Sequence, residues 1–457
     1  MHEDFDVVVV GAGLSGLAAA RRLLAEDVGR LVVVDARDEP GGRCIWRMVG
    51  GHLVHPGPAW TGANQDHIKA LAAAYGVGTY RIDVEGAKYA RSVNGVVRYS
   101  DQREPPLTGG QGEELERAQA ELSRLCERVS ASRPWDAADA DSLDTTTAAS
   151  WIRSQSGDPV VQGVLARVVQ RSGADPSQMS MLSVSGRISS CGGIGGLQTD
   201  VDELFVGGVA AIPPAIANDL GERLRLSWPV AQISWSDDGV TVTGPHGTVS
   251  AKRAIVAMSA ADARQIQFSP GLSTPRELLH QGWFTSAAIK MMFVYRSPFW
   301  HRASADRPPI AAVINEAGDP YTVLDQSPAD GTFGVLAASM GRQAESASSA
   351  SSHDVLDGPA ARRRRVLDTL VRVYGAEAKS PLGINETHWD DEPFISGCHG
   401  FPQPGVLRDC GQALRDPIGP IHWAGTETAD VWINHMDGAV QSGERAAGEV
   451  SAILAGV

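Results

Sequence analysis

At 457 residues the chain exceeds what one ordinary hydrophobic core serves, so two domains or one large interleaved unit is expected. With 43% hydrophobic and 21% charged residues it reads as globular, and a net charge of −14 argues against nucleic acid or an anionic membrane surface as partner. The opening MHEDFDVVVV lacks the basic head and long apolar stretch of a secretion signal. No run approaches the roughly 18–20 apolar residues of a membrane helix. The five cysteines are scattered, without CxxC spacing, which suits a reducing compartment. The expectation is a soluble, cytoplasmic protein.

The clearest segment is residues 5–42. FDVVVV is a short, continuous apolar run of the kind a buried parallel strand shows. GAGLSGLAAARRLLAE then reads as a helix and RLVVVDAR as a second buried strand. Gly11, Gly13 and Gly16 stand in GxGxxG register at the strand-to-helix turn, with Asp35 closing the second strand. Gly11 permits the tight turn, Gly13 lets the backbone approach a pyrophosphate, and Gly16 lets helix and strand pack closely. The helix N-terminus offers free N–H groups to the phosphates, and Asp35 stands where an acid would bond a ribose hydroxyl. This predicts a dinucleotide site.

Further along, 112–129 and 149–173 have helical spacing. RLSWPVAQISW, GVTVTG and AKRAIVAMS read as strands that return to the nucleotide-binding sheet, and AAIKMMFVY as a strand of the second unit. ARRRRVLDTLVRVYG reads as a helix whose arginines form a solvated face. The fold class expected is α/β (α+β overall), a Rossmann-type domain interleaved with a mixed sheet-plus-helices substrate domain. The boundaries are 1–80, 203–280 and 388–457 for the first, 81–202 and 281–387 for the second.

The fingerprint alone does not separate NAD from FAD. DARDEPGGR adds Gly41, Gly42 and the cation Arg43, and WAGTETADVWINHMDGAVQSGERAA adds a strand, a Gly-Thr-Glu turn and a helix. With VVVVGAGLSGLAAA, these segments resemble the flavin-containing amine oxidase family, the monoamine oxidases in particular. The correspondence runs nearly end to end, through GPAWTG, FVGGVAAIPPAIANDLG, SWPVAQI and AAIKMMFVYRSPFW.

The resemblance implies FAD, bound by Gly11, Gly13, Gly16, Asp35, Gly42, Arg43, Val230, Glu427 and the helix start at Met436. It implies that Lys290, one of only five lysines, assists the reaction with oxygen, and that Trp60 lies along the flavin. Cys398 falls where mammalian-type monoamine oxidases tether their flavin as a thioether, although many bacterial relatives hold FAD without a bond. A free cysteine of the cavity wall is the alternative. The sequence departs from the family at His399 and His435, where monoamine oxidases carry two tyrosines that steer the amine, and at Asn434, where glycine is usual. A more polar slot is expected. Arg167, Arg171 or Arg187 are candidates for a substrate carboxylate, with a surface ion pair the expectation for each singly.

The function implied is dehydrogenation of a C–N bond to an imine with electrons passed to dioxygen and hydrogen peroxide released. Partners are then a small amine and O2, with a homodimer left open. Two alternatives stand beside it: an oxidase or desaturase of an amino acid, amide or C–C bond, and a flavin-holding protein without turnover. The arginine-rich, lysine-poor composition fits a high-GC bacterium.

Overall fold

The computed structural model describes residues 2–456 apart from 83–88, 94–95, 103, 172–173, 287, 305–306, 316–320 and 342–357. Two large sheets organise them. In the first, the strand His2–Val10 lies between Leu31–Val34 and Gly247–Ala257, parallel to both, and Ile421–Ala424 pairs in parallel with the latter. Val7, Val8, Val9 and Val10 are each at most 2% exposed, which is why the strand reads as an unbroken apolar run. Each such valine contributes roughly 1.5–3 kcal/mol of burial.

The helix Leu14–Ala25 follows the first strand and packs on the C-terminal helix Met436–Leu454. Glycine decides how close they come. A Cβ at Gly16 would lie 1.8 Å from the Gly11 carbonyl oxygen, and one at Gly443 would lie 2.0 Å from that of Ser15. Ser15 Oγ and Ser442 Oγ, 3.1 Å apart, both reach the Gly425 N–H and so fix the Gly-Thr-Glu turn against the two helices.

The second sheet holds seven strands, with Ala288–Tyr295 between Gly334–Gly341 and Gly383–His388. The helical stretch foreseen over 149–173 is two helices, Ala148–Gln155 and Pro159–Gln170. Asp158 caps the second through Val160 N–H, and Pro159 cannot continue a helix from before it. The arginine helix is Pro359–Tyr374, and its arginines are not all solvated: Arg362 and Arg363 both pair with Glu386, whose side chain is 1% exposed. No helix among the described residues is long and apolar enough to cross a membrane.

Candidate active site

A single cavity of about 1790 Å³ runs from the glycine turn to the substrate-side sheet, beyond the roughly 300–1,000 Å³ of an ordinary ligand pocket. Its lining includes Gly11, Gly13, Asp35, Gly42, Arg43, Trp60, Val230, Lys290, Cys398, His399, Glu427, His435 and Met436. Gly16 sits behind the turn as a packing residue.

The nucleotide end fits the group expected of it. Gly11 has φ +105°, and a Cβ on Gly13 would meet nothing within 4 Å, so that glycine leaves open space where a phosphate would come. The N-terminus of the helix Leu14–Ala25 faces the same space through Leu14 and Ser15. Asp35 accepts from Ala12 N–H at 2.5 Å and Arg37 N–H at 2.8 Å, which fixes the carboxylate while leaving lone pairs for a ribose hydroxyl. Burial pushes its pKa up against those two bonds.

At the far end Lys290 interrupts the apolar strand. Its Nζ donates to the Gly57 carbonyl at 2.8 Å and makes no ion pair among the described residues. Burial pulls its pKa down to about 8, with the Cys398 thiol pulling the other way. His55 is driven to about 4 by burial and then by the Lys290 charge, so it is neutral near pH 7. Glu427 is 3% exposed with neither carboxylate oxygen partnered among the described residues. Burial raises its pKa and the Arg43 charge lowers it. An orphaned acid and Arg43 beside an open cradle are polar groups awaiting a polar ligand.

The Cys398 segment is clamped from three sides. Cys398 N–H donates to Ser286 O at 3.0 Å, Ser286 N–H to His399 O at 2.8 Å, and Arg43 Nη1 to the Cys398 carbonyl. Asp262 takes the Ser396 N–H at 2.9 Å and its hydroxyl. Burial raises the thiol's pKa, and Arg43, Lys290 and Arg187 pull it back. His399 is forced well below the usual imidazole range by burial, then by Arg187 and Arg43. Asn434 has φ +66°, a left-handed conformation in which glycine is commonest and asparagine tolerated, so the departure from glycine is conformationally admissible. Its Nδ2 donates to Gly400 O at 2.9 Å.

Residues 14–451 match the family described as flavin containing amine oxidoreductase. The chain belongs to that family. A Mycobacterium tuberculosis protein bearing the name flavin-containing monoamine oxidase AofH is 34% identical over 98% of this chain and 97% of its own length. The L-amino acid dehydrogenase of Synechocystis is 30% identical over 98% and 95%. Among solved structures, cyclohexylamine oxidase from Brevibacterium oxydans superposes with a TM-score of 0.90 at 29% identity, covering 99% of this chain and all of that one. A putrescine oxidase variant with redesigned cofactor binding does so at 0.90 and 26%, with the same coverage. The chain is thus a flavin-containing oxidoreductase that acts on amines, with the α/β fold of the FAD amine oxidases.

Of the three arginines weighed for a carboxylate, Arg167 pairs with Glu104 at 2.9 Å, and Arg171 lines the cavity while pairing with Asp200. Arg187 departs from the surface role expected of it, being 3% exposed between Ile433 O and Arg171 O. Among the acids around the site that escaped the sequence reading, two hold its parts in place. Asp200 lies 3.8 Å from His435 Nε2, and Asp262 holds the Cys398 loop. Neither carries a motif; only long-range packing brings them there.

Proposed function

We propose that this protein is an FAD-dependent oxidase that converts a C–N single bond of a small, polar amine to an imine. Two hydrogens leave the amine, and dioxygen takes them up as hydrogen peroxide. The observation that carries the reading is Lys290: a half-buried lysine with no ion pair among the described residues, in one cavity with the glycine cradle, Cys398 and His399. The named relatives act on cyclohexylamine, putrescine and L-amino acids, all of them nitrogen-bearing carbons.

When bound, FAD supplies the two-electron chemistry. The chain's residues bind and orient around it. Gly11, Gly13 and the helix N-terminus take the pyrophosphate, Asp35 a ribose hydroxyl, Val230 the adenine through its backbone, and Gly42 with Arg43 the adjoining stretch. The start of the C-terminal helix at Met436 lines the cavity, and its N–H groups and positive dipole end would stabilise the negative charge that a flavin gathers on reduction. Glu427 and Trp60, both lining the cavity, would border the flavin. Lys290 holds a proton and a positive charge where dioxygen arrives. His399, neutral by burial, and His435 form the walls that orient the amine nitrogen. The setting is taken to be the cytoplasm of a bacterium.

Cys398 is the proposed attachment point. A thioether there would exchange the thiol S–H and one ring-methyl C–H for a C–S bond, with dioxygen accepting the two hydrogens and their electrons. Acid precipitation of the yellow holoenzyme should then give a yellow pellet, and Cys398→Ala a white pellet under a yellow supernatant. A white pellet from the unaltered protein makes Cys398 a cavity-wall residue. The oxidase reading itself is tested by mixing a panel of amines with the protein under nitrogen. Bleaching of the flavin by an amine, followed by peroxide on admitting air, supports it; bleaching by unsaturated hydrocarbons alone overturns it.

A further inference from the structure

The loop that follows the strand Gly383–His388 runs along the cavity. Trp389, Phe394, Ile395 and Cys398 line it, and Phe394 does so while 54% exposed, so its ring stands where the cavity meets solvent. The backbone is unusual at the same residue. Phe394 has φ +62°, in the left-handed region that a bulky side chain rarely adopts. Ile395 N–H donates to Glu392 O at 3.2 Å, with Pro393 second and Phe394 third, so residues 392–395 have the pattern of a type II turn. That turn favours glycine or asparagine in third place. An aromatic ring kept there against the preference of the backbone points to a task for the ring.

The turn is fastened at both ends, to segments on either side of the glycine turn. The strand His2–Val10 lies between Leu31–Val34 and Gly247–Ala257, and the loops after those two neighbours receive the fastenings. On the first side Glu392, its side chain 17% exposed, faces Arg37 at 3.6 Å and Arg47 at 3.4 Å. Glu39 joins the same network, with Arg37 at 2.8 Å and Arg47 at 3.2 Å. Arg37 also donates to Gly42 O at 3.0 Å, which ties the network to the cradle. On the second side Ser396 N–H and hydroxyl both donate to Asp262, which is itself held by the Ser259 hydroxyl at 2.7 Å. Thr285 Oγ1 donates to Ser396 O at 2.6 Å and Arg43 to Cys398 O, so this end is held from three directions. It behaves as a fixed hinge. The Glu392 end rests on ion pairs whose members Glu39 and Arg47 are partly exposed, and such pairs yield to salt.

We propose that residues 389–398 are a strap across the flavin cavity, with Phe394 as its cover and Glu392 as a releasable latch to Arg37 and Arg47, and that unlatching lets the cofactor in and out. Parallel strands of an open sheet bind their ligands beyond their carboxyl ends, and the strap crosses at that place. This rests on the flavin reading of the cavity and concerns how the cofactor is loaded and kept, which the oxidation of an amine does not determine.

The test uses holoprotein carrying Cys398→Ala, or Cys398→Ser if the first does not fold, so that no bond holds the flavin. Free-flavin fluorescence is followed after dilution. Glu392→Gln should speed release by about tenfold or more. Arg47→Gln should speed it less, since Arg37 remains, and should add little on top of Glu392→Gln because the two changes remove one latch. Raising sodium chloride from about 0.05 to about 1 M should accelerate the parent more than Glu392→Gln. Phe394→Gly separates cover from turn. It supplies the residue the turn favours, so a merely structural Phe394 would leave release unchanged or slower, whereas the strap requires release about tenfold faster with little change in the unfolding temperature of the apoprotein. Unchanged release in either Glu392→Gln or Phe394→Gly overturns the proposal, as does faster release in variants whose apoproteins unfold several degrees lower; both results leave the oxidase reading intact. A strap that behaves as described on a flavin no amine bleaches overturns the oxidase reading alone. An unaltered protein that retains no flavin overturns both.

Discussion

Lys290 shows how one residue's chemistry is set by its surroundings. It is a cation below about pH 8 and neutral above, and under the proposed oxidase reading the cation would attract the negative charge that develops on dioxygen. Reoxidation of reduced flavin should therefore slow as pH rises through about 8. Lys290→Met should be slower by roughly 100-fold below that pH, the scale of one lost electrostatic donor, and should show no inflection. Stopped-flow mixing with oxygen reads both, and a variant as fast as the parent removes Lys290 from the oxygen reaction. The linkage has a sign as well. Between about pH 8 and the ordinary lysine value of 10.5 the unfolded chain binds more protons than the folded one, so this residue makes stability rise with pH there. A second residue-scale prediction concerns the departures from the family. His399→Tyr with His435→Tyr should raise turnover of benzylamine, because two apolar faces replace hydrogen-bonding imidazoles. A double variant that loses activity on its own substrate without gaining on benzylamine would mean that the histidines contact that substrate directly.

Between elements, the close approach of the first and last helices decides whether the cradle forms. A Cβ at Gly443 would press on the Ser15 backbone at 2.0 Å and part the Ser15–Ser442 contact that holds the Gly425 N–H. Gly443→Ala should cost at least about 1–3 kcal/mol, the range for overpacking a tight interior, and should weaken FAD retention. Thermal unfolding and gel-filtered flavin content measure the two; a variant unchanged in both would show that the helices shift apart without consequence. These contacts were partly legible beforehand. GxGxxG announces one close approach by itself, because its spacing sets a turn and the packing behind it. Gly443 announces nothing, since its reason is a partner 428 positions away in the chain (443 − 15).

Across the whole molecule, the cavity joins a cofactor cradle built on the first sheet to a wall that includes Lys290 from the second. A ligand that fills so much of that space should be a large share of the stability. At 1,000 times its Kd a ligand adds about 4.1 kcal/mol. Flavin removal by acid ammonium sulfate, carried out on Cys398→Ala so that no bond holds the flavin, should thus lower the unfolding temperature by several degrees, restored by added FAD. No shift on adding FAD would mean that the cradle binds something else. The division into a discontinuous nucleotide domain and an inserted substrate domain remains our proposal, testable by limited proteolysis with and without FAD.

The sequence by itself determined the glycine turn proposed as the nucleotide site, because Gly11, Gly13, Gly16 and Asp35 act through local geometry: a turn, a helix N-terminus and a strand end within about 30 residues. It also marked Lys290, Cys398, His399 and His435 through their register in recognisable segments. Tertiary structure alone decided what those residues mean together. Asp200, Arg171 and Arg187 come from separate elements and converge on His435, and Asp262 reaches across 134 residues to hold the Cys398 loop. Such contacts obey charge and burial, which depend on distance in space, and no spacing along the chain encodes them.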